Sequence, residues 1–80
     1  MHYEDLTITA LNNTKNYWYA KLVSKNGGSF LFPIANSNIS EEELLQNGIV
    51  IGKSFLGAVE NNKLLALNDF TFIESKSRHR

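Results

Sequence analysis

Eighty residues suffice for one domain and lie near the lower limit for a single hydrophobic core without disulfides, metals or a partner chain. A composition of 42% hydrophobic and 20% charged residues is that of a folded globular domain and excludes a disordered segment. The lack of cysteine excludes disulfides and cysteine-ligated zinc, while eight basic against eight acidic residues exclude both a strongly basic polyphosphate binder and an acidic DNA mimic.

The two histidines, His2 and His79, stand near opposite ends, so neither a protein-built metal site nor any cofactor is expected. No basic segment followed by an apolar run opens the chain, and no apolar stretch is long enough to cross a bilayer as a helix; a soluble, cytoplasmic protein is the expectation. Charge is unevenly placed, with Glu41, Glu42 and Glu43 adjacent and a wholly basic end at Lys76, Arg78 and Arg80. A single domain over 1–75 with a basic, flexible tail over 76–80 follows from that distribution.

In chain order, residues 6–11 alternate Leu6, Ile8, Ala10 against Thr7, Thr9, Leu11, the period-two pattern of a half-buried strand. Asn12 to Asn16 turn the chain back, and a second strand runs from Tyr17 to Ser24. Lys25-Asn26-Gly27-Gly28 holds the Asn-Gly pair of a type I′ hairpin turn. A third strand follows, with Phe30, Phe32 and Ile34 on one side and Ser29, Leu31 and Pro33 on the other; it should end near Pro33 or lie at an edge there, because proline donates nothing to a ladder.

The single helix signal is complete. Ser40 is the N-cap, Glu43 closes a capping box, Ile39 staples against Leu44, and Gly48 supplies the left-handed stop. The three glutamates fall in the first turn, where the helix dipole favours negative charge, so capping alone accounts for them. Residues 49–60 then read as a strand with both faces buried, bent at Gly52 and Gly57. After a tight turn at Asn61-Asn62, a last strand is interrupted at Asn68-Asp69.

The order β-β-β-α-β-β predicts a mainly β protein with one short helix: a small five-stranded barrel of the OB-like type, or the SH3-like alternative. Closure would also remove exposed strand edges from so small a sheet. The segments "GGSFLFPI", "ISEEELLQNG" and "GAVENNKLLAL" also faintly resemble the swapped-hairpin antitoxin and transition-regulator family over residues 20–67 at most. The extra N-terminal strand, the longer stretch after Pro33 and the scarcity of arginine depart from that pattern, and membership is not inferred.

Catalysis needs a nucleophile held against a base or carboxylates in contrasting environments, and neither pattern is present; Asp5 and Asp69 stand without a surrounding motif. Gly27-Gly28 lacks the lysine and following helix of a phosphate loop. An enzyme is not expected. Asn12 and Asn38 match the glycosylation pattern, which has no consequence without a secretory signal.

The candidate site lies in the second strand. Alternation puts Tyr17, Tyr19, Lys21 and Val23 on one face and Trp18, Ala20, Leu22 and Ser24 on the other, so Trp18 belongs to the core and the tyrosines face outward. Two outward tyrosines beside a lysine have the chemistry of a face that stacks bases and meets phosphate, with Lys15, Lys25, Lys76, Arg78 and Arg80 as supporting cations. Cross-strand packing also enriches tyrosine on half-exposed sheets. Two functions fit this face: weak single-stranded nucleic-acid binding, and protein–protein interaction as a small regulator, inhibitor or subunit, self-association included. Phe30 and Phe32 belong either to that face or to the core, depending on register.

Overall fold

The computed structural model describes residues 1–74, in which the period-two apolar pattern produces five strands and one short helix. In chain order these are β1 (His2–Asn13), β2 (Tyr17–Ser24), β3 (Ser29–Asn36), α1 (Glu41–Gln46), β4 (Ser54–Glu60) and β5 (Lys63–Leu67). The sheet order is β3-β2-β1-β4-β5 with every neighbour antiparallel. Long β1 pairs with β4 through His2–Thr7 and with β2 through Leu6–Asn13, so the sheet coils around it.

The two ends of the sheet meet through the segment after β5. Ala35 and Ile73 form a parallel bridge, in which the Asn36 N–H donates to the Ile73 carbonyl and the Ile73 N–H donates to the Ile34 carbonyl, both at 3.0 Å. The result is a nearly closed barrel with α1 between β3 and β4, the small five-stranded barrel expected from the element order. Leu6, Ile8, Leu22, Ile34 and Leu44 are completely or almost completely buried inside it. Each contributes about 1.5–3 kcal/mol of hydrophobic free energy.

The helix forms as its end signals require. Ser40 Oγ accepts from the Glu43 N–H at 3.1 Å, Ile39 and Leu44 are both buried, and Gly48 has φ +79 immediately after the C-cap Asn47. Trp18 locks this end of the barrel by donating its indole N–H to the Ile39 carbonyl at 2.7 Å.

Several local expectations are corrected. In β1 the register shifts between Ile8 and Ala10, and this bulge reverses the alternation: Leu11 packs against the core, and Ala10 lies opposite the exposed Lys21. Residues 49–53 are not strand; β4 begins at Ser54, and the preceding turn is pinned to the bulge by Gly52 N–H to Ile8 carbonyl (2.8 Å) and Ile8 N–H to Lys53 carbonyl (2.9 Å). The hairpin at Lys25–Gly28 exists without a type I′ turn: Gly27 N–H bonds the Ser24 carbonyl and only Gly27, at φ +94, is left-handed. That is a three-residue loop with a glycine bulge, held by Ser24 Oγ accepting from both Asn26 N–H and Gly28 N–H. The turn with two left-handed residues is Asn61-Asn62, at φ 53 and 64. Of the two expectations for Pro33 the edge position holds: β3 runs on to Asn36 and is an end strand of the sheet, and Pro33 pairs with Tyr19 beside the extra residue Ile34.

Candidate aromatic binding face

Strand β2 keeps its alternation without interruption. Trp18, Ala20, Leu22 and Ser24 are buried, while Tyr17 and Lys21 are exposed and Tyr19 and Val23 are half-buried on the outer surface. Outward cross-strand neighbours on β3 are Pro33 beside Tyr19 and Leu31 beside Lys21, and Leu31 is 65% exposed. Phe30 and Phe32 pair with the inward Leu22 and Ala20 and pack against the core, which settles their register on the inside. Phe32, Phe70 and Phe55 form an edge-to-face chain there, with centroid separations of 6.2 and 5.8 Å.

A third ring joins the outer tyrosines from a distant part of the chain. Phe72 meets Tyr17 edge to face at 5.9 Å and 77°, and Tyr17 meets Tyr19 at 6.2 Å and 83°. Such pairs contribute about 0.5–1.5 kcal/mol beyond buried area and hold the rings in place. Because Tyr17 stands nearly perpendicular to both neighbours, the three rings make a notched surface and not a flat shelf.

The backbone under Tyr17 is tightly held. Thr14 Oγ1 donates to the Tyr17 carbonyl at 2.6 Å and accepts from the Tyr17 N–H at 3.1 Å, and the Thr14 N–H bonds the same carbonyl. Asn13 Nδ2 to Ser37 carbonyl and Ser37 N–H to Asn16 carbonyl tie this turn to the end of β3. Lys15, exposed in the turn, is two residues from Tyr17. The expected cations are thus only partly brought together. Lys25 lies beyond the far end of β2, about 25 Å from Tyr17 at about 3.3 Å per residue, and its amine stands 3.9 Å from the Asp5 carboxylate. Lys76, Arg78 and Arg80 lie outside the described residues.

Phe72 was not recoverable from local pattern, since its partner lies 55 positions away and only the closing bridge at Ile73 places it. Among the described residues, no group of three His, Cys, Asp or Glu side chains could hold a metal ion, and no helix is long and apolar enough to cross a membrane. Glu4 is the one described group whose ionisation clearly departs from normal. A hydrogen bond from His2 holds its carboxyl below the usual glutamate range, partly opposed by burial and assisted by Ser24 and by the charge of His2.

A separate cavity of about 390 Å³ opens between the end of α1, the start of β4 and the Asn68–Ile73 segment. Two of its polar side chains have structural partners: Asn47 Nδ2 donates to the Glu43 carbonyl at 2.8 Å, and Ser54 Oγ lies 2.9 Å from Thr7 Oγ1. The Lys53 amine sits 5.6 Å over the Phe55 ring. Comparison with protein-family models, curated proteins and solved structures found no match, so the faint likeness of residues 20–67 to the swapped-hairpin regulators gains no support.

Proposed function

We propose that this protein is a non-enzymatic small-barrel binding module that takes single-stranded nucleic acid on the outer face of β2 and β3. The observation that carries this reading is the convergence of Tyr17, Tyr19 and Phe72 beside Lys21 on the surface that OB-type barrels use for oligonucleotides. The exposed Tyr17 and the half-buried Tyr19 and Phe72 offer ring surface to a base, and Lys21 and Lys15 offer charge to the backbone. With two cations near the rings among the described residues and no net charge, binding is weak and shallow in salt dependence.

The test is fluorescence anisotropy of a labelled oligothymidylate of about 12 nucleotides in about 20 mM salt. Tyr17→Ala is expected to weaken binding by about 5- to 150-fold, the equivalent of about 1–3 kcal/mol for a stacked base. Lys21→Ala should reduce the steepness of the salt dependence by about 0.7. No binding at low salt, or tighter binding of duplex than of single strand, contradicts the reading.

A second reading, a protein partner or second copy on this same face, is favoured by Leu31 and Pro33 flanking the rings and by charge neutrality. It takes precedence if oligonucleotides fail to bind and sedimentation shows concentration-dependent association that Leu31→Lys abolishes.

A further inference from the structure

An apolar groove of about 410 Å³ runs between α1 and the turn before β4, and it shares no residue with the aromatic face. Its apolar lining is Leu11, Leu45, Ile49, Val50 and Ile51, and its charged lining, among the described residues, is Glu41 and Glu42 with no cation. Two of the apolar groups are offered to solvent: Leu45 is 60% and Ile51 65% exposed. Neither is needed by the core at that exposure, since the helix is anchored by Leu44 and the turn by Ile49, both buried.

Ile51 is held at the tip of a rigid corner. Lys53 N–H closes the turn on the Val50 carbonyl at 3.1 Å, Gly52 follows Ile51 at φ +99, and the Gly52 N–H is fastened to the Ile8 carbonyl at 2.8 Å. Turn tips ordinarily carry polar residues, glycine or proline, for which turn geometry supplies the reason. A β-branched apolar side chain fixed there has no such reason and costs little entropy when it is covered.

We propose that this groove docks an amphipathic, basic helical segment of a partner protein. The partner's apolar side chains at i and i+4 fit between Leu45 and Ile51, and lysine or arginine on its flank meets Glu41 and Glu42. Charge complementarity selects that chemistry: an acidic segment is repelled by two carboxylates that, among the described residues, face no cation across the groove. The chain's own basic end, Ser-Lys-Ser-Arg-His-Arg over 75–80, supplies charge but no large apolar side chain, so the matching ligand is another polypeptide.

The experiment uses the full chain and a fluorescein-labelled model helix with leucine at i, i+3 and i+4 spacing and lysine elsewhere, beside the same peptide with glutamate for lysine. The lysine peptide is expected to bind at least about tenfold tighter than the glutamate peptide in about 50 mM salt, with the preference shrinking as salt is raised. Ile51→Ser and Leu45→Ser should each weaken it by about tenfold, from the lost apolar contact. The pair Glu41→Gln and Glu42→Gln should erase the preference for lysine over glutamate. Leu65→Ser, which removes a comparably exposed leucine on β5 away from the groove, should leave binding unchanged, and thermal melts confirm that each variant is folded. Equal binding of both peptides, no binding of either, or losses no greater for Ile51→Ser than for Leu65→Ser overturn the proposal.

Discussion

Trp18→Phe separates a core tryptophan from a ligand-stacking one. The substitution keeps an aromatic ring in β2 but removes the indole N–H that donates to the Ile39 carbonyl at 2.7 Å. Both residues are buried, Trp18 at 8% and Ile39 at 3% exposure, so water does not freely replace the lost donor. An unsatisfied buried carbonyl costs about 1–3 kcal/mol, and the missing part of the indole removes about 1 kcal/mol more of packing. The sum of about 2–4 kcal/mol is a large part of the roughly 4–12 kcal/mol that holds a domain of this length together. It corresponds to a fall in melting temperature of roughly 10–25 °C. Urea unfolding followed by far-ultraviolet circular dichroism measures it without relying on the tryptophan itself. A change below about 0.5 kcal/mol would refute the reasoning, because surface substitutions fall in that range.

Three further outcomes follow from other parts of the barrel. Gly57→Ala should destabilise by about 1–3 kcal/mol in the same urea assay, since an added Cβ would stand 2.5 Å from Leu6 Cδ1 and 2.8 Å from Leu64 Cδ1; a stabilised variant would show that these leucines have room to move. Ser24→Ala should cost about 1–2 kcal/mol by leaving the N–H groups of Asn26 and Gly28 without their shared acceptor, and an unchanged melting temperature would show that water replaces it. Because the folded state lowers the pKa of Glu4 below its unfolded value, its contribution is present above the ordinary glutamate range and is lost as pH falls through the folded value. Urea midpoints measured from about pH 6 down to about pH 3 should therefore fall less steeply for Glu4→Gln than for the unaltered protein, and identical slopes would contradict the assignment.

What was legible in the sequence was whatever depends on local pattern. Alternation in Tyr17–Ser24 survives intact because each outward residue faces another outward residue on β3, and the caps of α1 are set by Ser40, Glu43 and Gly48 within a single short segment. The bulge in β1 was hidden because Thr9 and Ala10 suit either face, so nothing in their chemistry marks an extra residue. Residues 49–53 resembled a strand because their apolar density serves two other purposes: Ile49 is buried in the core and Ile51 stands exposed at a turn tip. Lys25-Asn26-Gly27 took a three-residue loop because Ser24 Oγ rewards that geometry, a preference the Asn-Gly pair alone does not encode. At the candidate site the two tyrosines and Lys21 were readable from period two, whereas Phe72 depends on barrel closure, a contact between chain ends that no local window contains.

The central claim is that the outer face of β2 and β3, completed by Phe72, binds single-stranded nucleic acid. It is tested most directly by titrating the isotope-labelled protein with an unlabelled oligothymidylate at low salt and following each amide by nuclear magnetic resonance. The account predicts shifts concentrated at Lys15, Tyr17, Tyr19, Lys21 and Phe72, abolished together by the paired substitution of Tyr17 and Tyr19 with alanine. Shifts absent from these positions, or centred instead on the cavity around Lys53 and Asp69, would contradict it.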